Sequence, residues 1–115
     1  MENSILVSIK KLLGLSAEYT PFDPDIIMHI NSVFATLTQL GVGPKEGFSI
    51  VDETNTWDQF ISDEDPRYNS IRSYIFLKVK LLFDPPTSTA VLQSYEKMAS
   101  EYEWRLNATA EFPDI

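Results

Sequence analysis

No cysteine occurs among the 115 residues, and His29 is the sole histidine. The first absence excludes a disulfide-stapled scaffold, a thiol nucleophile and any cysteine-ligated zinc or iron–sulfur centre. No apolar run approaches the roughly 18–20 residues of a membrane-spanning helix, so no membrane contact is expected. Basic residues are scarce: nine Lys and Arg stand against seventeen Asp and Glu, for a formal net charge of -8. Their longest run is Lys10-Lys11. A protein that grips nucleic acid needs a basic stripe to displace phosphate counterions, and this chain has none. An acidic chain can still sit beside DNA, as a wall that does not hold it or as a mimic of it. Phosphate cradles are missing too. Gly41-Val42-Gly43-Pro44 lacks the Lys-Ser/Thr of a P-loop and follows no strand.

What is present is enough apolar material for one core. Hydrophobic residues make up 43% and aromatics 12%, a composition unlike that of a disordered chain. The length fits a single domain. The apolar stretch at 5–15 is not an export signal, because Glu2 precedes it and Lys10-Lys11 split it. The protein is expected in the cytoplasm.

The apolar pattern is helical nearly throughout. Ile5, Ile9 and Leu12 share a face, with Leu6 and Leu13 beside them and Gly14 as C-cap, which predicts a helix over 4–13. Asp23-Pro24 opens a second helix, with Asp as N-cap and Pro at the first helical position. Its stripe is Ile26, Ile30, Val33, Leu37 and Leu40, widened by Ile27 and Phe34. Residues 42–55 break the period, and Phe48-Ser49-Ile50-Val51 reads as a short strand or an extended loop. Thr56 and Gln59 form a capping box for a short helix holding Trp57, Phe60 and Ile61. Asp65-Pro66 repeats the N-cap device before a helix whose stripe is Tyr68, Ile71, Ile75, Val79 and Leu82, with Tyr74 and Leu81 flanking. Asp84-Pro85-Pro86 stops it. Thr87 or Ser88 caps a last helix, with Val91, Tyr95, Met98 and Tyr102 as its buried stripe and Leu92, Ala99 and Leu106 adjacent. The expectation is an all-α domain over 1–106. It is a small bundle of four to five helices with one irregular loop, followed by an extended tail over 107–115.

Chemically useful groups are few. Asp25 lies four residues before His29, a spacing that puts both on one helix face. An Asp–His pair can orient an imidazole for base catalysis, but no nucleophile accompanies it, and an ordinary surface pair is the expected reading. Asp63-Glu64-Asp65 lacks the alternating spacing and central glycine of a calcium loop. No catalytic residue, metal site or cofactor is therefore assigned. Asp52, Glu53 and Asp58 concentrate negative charge in the irregular region, as a solvated loop or as a surface facing something that must not stick. Trp104 falls off the last helix's stripe, between Glu103 and Arg105. An aromatic beside an arginine has the composition of a protein–protein hot spot. A neighbouring helix that covers Trp104 is the alternative.

The segments Leu81-Leu82-Phe83-Asp84-Pro85-Pro86-Thr87-Ser88 and Glu103-Trp104-Arg105-Leu106-Asn107 carry a family pattern. So do Ile27-Met28-His29-Ile30-Asn31-Ser32-Val33-Phe34 and Leu40-Gly41-Val42-Gly43-Pro44. Over nearly its whole length the chain resembles the small helical head–tail connector proteins of tailed bacteriophages, also called adaptor or head-completion proteins. The resemblance is one of overall pattern, since the family has no catalytic signature. It implies a structural virion protein, made in the host bacterial cytoplasm and placed at the head–tail junction. Copies of such connectors, commonly twelve, form a ring beneath the portal protein. The ring extends the DNA channel and offers a surface to the next neck or tail protein. DNA would pass without being bound specifically.

A terminal arm often reaches along the portal in such proteins. Here that role falls by position to 107–115, with Phe112 and Ile115 as apolar anchors. Trp104 and Arg105 are the other expected protein contacts, and the Asp52/Glu53/Asp58 loop is the expected channel-facing acidic surface. The competing readings are an acidic DNA-mimic inhibitor of a nucleic-acid-binding protein, and an enzyme built around Asp25 and His29.

Overall fold

A computed structural model describes residues 3–111 of the chain, with side chains through Thr109. Four α-helices account for most of it: α1 (Ile5–Leu12), α2 (Asp23–Gln39), α3 (Tyr68–Phe83) and α4 (Thr89–Glu111), with a single 3₁₀ turn at Trp57–Gln59. α3 is the central layer and packs on α2 to one side and α4 to the other, while α1 rests on α2. The all-α expectation holds.

The chain ends of these helices show which local devices operate. Ser4 caps α1, accepting from the Val7 N–H at 3.2 Å. Gly14 follows at φ +85°, the left-handed position that closes a helix C-terminus without a Cβ clash. The Thr56–Gln59 capping box forms as the spacing predicts, with the Thr56 N–H donating to Gln59 Oε1 at 3.2 Å. Ser88 Oγ accepts from the Val91 N–H at the start of α4.

The two Asp-Pro pairs behave differently from expectation. Phe22, not Asp23, is the α2 N-cap, and it makes no side-chain cap bond. The Asp23 carboxylate is taken instead by Lys10, whose Nζ lies 2.8 Å from Asp23 Oδ1. Asp65 sits in a turn before α3, whose N-cap is Arg67. Its carboxylate accepts from the Arg67 backbone N–H at 2.8 Å and from the guanidinium at 3.2 and 3.1 Å. In both cases a neighbouring cation holds the carboxylate more strongly than a neutral amide can.

No strand occurs among the described residues. Segment 48–51 is an extended loop held by one side chain: Asn31 on α2 donates to Ile50 O at 3.0 Å and accepts from Ile50 N–H at 2.8 Å. The amide of Asn31 thus does for Ile50 what a neighbouring strand would do. Phe48 from this loop, Phe34 from α2 and Phe60 from the segment after the 3₁₀ turn stack edge-on and tilted, with centroids 4.7–5.3 Å apart. A lone antiparallel bridge, Ser4 to Thr56, ties the start of α1 to the 3₁₀ turn. Beneath it Trp57 is buried, its Nε1–H donating to Ser8 Oγ at 3.0 Å.

The core is built mainly by α1, α2 and α3. Ile5, Leu6 and Ile9 meet Ile26, Ile30, Val33, Phe34 and Leu37, and then Ile71, Tyr74, Ile75 and Val79. The α2 stripe is as expected. The others shift. Leu12 and Leu82 are exposed at the C-terminal ends of α1 and α3, and Tyr74, expected as a flank, is fully buried.

α4 differs most. Ala99 and Leu106 are its buried residues, whereas Val91 and Met98 of the expected stripe are exposed. The small Ala99 side chain lets α4 approach α3 closely, and that fixes the helix's rotation. α4 also runs on through Glu111 instead of ending near Leu106, so 107–111 is helix and not extended tail. Nothing between Leu106 and Pro113 breaks a helix, and Thr109 Oγ1 donates back to the Arg105 and Leu106 carbonyls. The remaining tail residues, Phe112 and Ile115 among them, lie outside the described residues.

Candidate interaction surface

Helix α4 uses one of its faces for the fold and leaves the others to solvent. At 3.6 residues per turn, Leu92, Ala99, Glu103 and Leu106 fall on one side. The α3 side of that contact holds a polar staple. The Tyr74 hydroxyl donates to Glu103 Oε2 at 2.5 Å, and Lys78 Nζ lies 3.7 Å from the same oxygen. Burial, and then the Glu103 carboxylate beside it, pushes the Tyr74 phenol well above its ordinary pKa. In the sequence Glu103 stands out only as a neighbour of Trp104. Its structural role was not visible, because the pairing spans twenty-nine positions.

Trp104 and Arg105 are both exposed, and Trp104 keeps 74% of its surface in water. No helix of the described chain covers it. Among the described residues the other exposed large aromatics are Tyr19 and Phe22, at 42% and 41%. Those two are engaged: Phe22 packs edge-on against Tyr19 and Phe83, at 5.7 and 5.5 Å between centroids.

On another flank of α4 lies an open groove of about 550 Å³. Tyr95, Met98 and Tyr102 form one wall, Phe76 and Leu77 of α3 the other, and Leu12 of α1 closes an end. Leu12 is 57% exposed and Met98 41%. By spacing alone Tyr95, Met98 and Tyr102 are expected as a core stripe. The missed signal is that α4 carries two apolar stripes, 92/99/106 and 91/95/98/102, and one helix packing on one neighbour cannot bury both.

The acidic loop residues are anchored locally. Asp52 accepts from the Thr54 N–H at 2.8 Å and from its hydroxyl. The Thr54 hydroxyl, then its N–H, holds the Asp52 carboxyl below the usual carboxylate range. Asp58 accepts from Asn3 Nδ2 at 3.2 Å. Glu53 between them is exposed. The three therefore share a region, but two of them also stabilise its backbone and its contact with the N-terminal segment.

The Asp25–His29 spacing does not produce a pair: no hydrogen bond or ion pair joins them among the described residues. His29 packs edge-on against Phe83 at 6.3 Å instead. Asp63 and Glu64 are exposed, and Asp65 is held by Arg67. Among the described residues no group of three or more His, Asp or Glu side chains could hold a metal ion. No described helix is long and apolar enough to cross a membrane.

A family model described as phage connector protein matches residues 5–112 of this chain. No curated protein matches it, and no solved structure does.

Proposed function

The chain belongs to the phage connector protein family, and from that premise we propose that it is the head–tail adaptor of a tailed phage or prophage. In this reading copies of it, twelve in number, close into a ring beneath the portal protein. The ring extends the DNA channel and presents a docking surface to the next neck or tail protein. The protein is made in the host cytoplasm and ends in the virion. The observation that carries the reading is the extent of the family match, from the first residue of α1 to just beyond the last residue of α4.

The surface chemistry is compatible with it. A net charge of -8 gives passing DNA no binding minimum, because negative walls repel phosphate. Asp52, Glu53 and Asp58 are assigned to the channel side. Trp104 and Arg105 supply a protein contact, since an exposed indole beside a guanidinium is hot-spot composition. Phe112 and Ile115, beyond the end of α4, are assigned as anchors of an arm along the portal.

Electron microscopy of this protein mixed with the portal protein encoded beside it tests the proposal. A ring stacked on the portal's narrow end, with a countable symmetry, is the expected result. Bare portals at protein concentrations well above micromolar would refute portal docking.

A further inference from the structure

The groove and Trp104 lie on different flanks of the same helix. Six residues separate Met98 from Trp104, which at 100° per residue places them roughly 120° apart around α4. One flank is concave, apolar and aromatic, with a methionine in its wall. The other projects a single indole, 74% exposed. We propose that the two are halves of one contact: Trp104 of one copy enters the Leu12/Phe76/Tyr95/Met98 groove of the next. This rests on the connector reading above and specifies how neighbouring copies meet.

Several observations point to a second copy as the occupant. The groove exists because α4 spends its 92/99/106 stripe on α3 and leaves the 91/95/98/102 stripe only partly covered, with Tyr95 and Tyr102 half-buried and Val91 and Met98 exposed. A stripe at helical spacing left partly exposed marks a protein contact. The volume of about 550 Å³ is ample for an indole, and Met98 supplies an adaptable, polarisable wall for an aromatic ring.

The charges are complementary as well. Copies carrying -8 repel one another, so a contact needs local relief. Arg72 is the one charged side chain lining the groove. Its guanidinium already lies over two rings, 4.9 Å from the Trp57 centroid and 5.3 Å from that of Tyr68. Exposed Glu101 sits one helical turn before Trp104 and would face Arg72 across the contact, while exposed Arg105 beside the indole approaches a copy of net charge -8.

Because knob and groove face directions roughly 120° apart around α4, the inferred contact is heterologous, with one neighbour at each flank. Each copy offers one half to the left and the other to the right, so the contact propagates head to tail and ends only by closing. A twofold dimer would instead have to seat both indoles in both grooves at a single interface and would stop at two copies.

The test places a photoreactive benzophenone side chain at position 104 in an otherwise unchanged chain. That protein is mixed with isotopically heavy wild-type chain, with and without portal, and irradiated. Mass spectrometry then locates the adducts. Light-to-heavy adducts on Leu12, Phe76 or Met98 are expected. Adducts joining 104 to residues around 104, adducts on portal alone, or no adduct between copies would overturn the inference. A second variant, Trp104→Ala, should weaken association between copies roughly tenfold or more, with an unchanged thermal melt because the side chain is exposed. Equal association would also overturn it. Micrographs of the same samples separate the two readings. Rings on portals without groove adducts would sink this contact and leave the connector reading standing. Groove adducts with bare portals would do the reverse.

Discussion

Lys10 is a charged side chain with 1% of its surface exposed, at the end of a helix whose other buried residues are apolar, Ser4 cap aside. It is tolerated there because three partners converge. The α1 C-terminus favours a cation, Ala17 O accepts its proton at 3.1 Å, and Asp23 Oδ1 lies at 2.8 Å. Removing one member of a buried pair strands the other's charge. Lys10→Met should therefore lower unfolding free energy by about 3 kcal/mol, measured by urea denaturation. Adding Asp23→Asn to it should recover part of that loss, since the stranded charge is then gone. Tyr74 makes the opposite kind of demand. An unfolded tyrosine titrates near pH ~10, and the folded Tyr74 titrates higher, through burial first and Glu103 second. A folded pKa above the unfolded one gives stability that is whole below pH ~10 and is lost as the pH rises beyond it. Tyr74→Phe should cost about 1 kcal/mol at neutral pH by leaving Glu103 without its donor. Its stability should then fall less steeply than wild type's between pH ~9 and ~11, followed by circular dichroism in urea.

At the scale of the elements, the segment between α2 and α3 combines irregular backbone with a packed cluster of aromatic rings. Gly43 turns the chain there at φ +87°, and a Cβ at that position would collide with the Phe60 ring. Phe60 is hemmed by two further rings, its centroid 4.7 Å from that of Phe34 and 5.3 Å from that of Phe48. Gly14 has nearly the same backbone angle, φ +85°, with nothing within 4 Å of an added Cβ. The two glycines thus separate backbone strain from steric overlap. Gly14→Ala should destabilise by about 1–2 kcal/mol, the left-handed penalty alone. Gly43→Ala should add about 1–3 kcal/mol of overpacking to that. Thermal denaturation of the pair gives the difference directly, and equal melting temperatures would show that the Phe60 ring moves aside freely. α4 stands at the other extreme. It is the longest helix, at 23 residues, yet Ala99 and Leu106 are the residues it buries. A helix that contributes so little to its own core is placed to contribute to another surface.

The molecule is a slab, 42 × 35 × 21 Å, with α3 in the middle layer and α4 on an outer one. That order leaves α4 presenting two flanks and a back to the surroundings, which suits a subunit with different neighbours on either side. The proposed arm belongs to this scale too. α4 extends through Glu111, so the residues assigned to reach the portal start from a helix end and not from the domain surface at Leu106. Deleting 112–115 should abolish stacking on the portal while leaving the helical circular dichroism and melting temperature unchanged. Full stacking by the shortened chain, seen in the same micrographs, would remove the arm from the proposal.

Much of this protein was legible from sequence because it depends on neighbours along the chain. Gly14, the Thr56–Gln59 box and the Pro85-Pro86 stop act within a few residues of themselves, and the α2 stripe has a strong single period. The family pattern was equally legible, being a property of residue order. The tertiary structure alone decided what depends on which element lies across the way. Asp23 and Asp65 look like N-caps until Lys10 and Arg67 come within reach of their carboxylates. Asn31 looks like an ordinary helix-surface amide until Ile50 crosses it. The 91/95/98/102 stripe looks like core until Ala99, the smaller residue, lets α3 in on a neighbouring face. Periodicity says that a helix has an apolar side; only the packing partner determines which of two sides is buried, and whether the other is left to meet a different molecule.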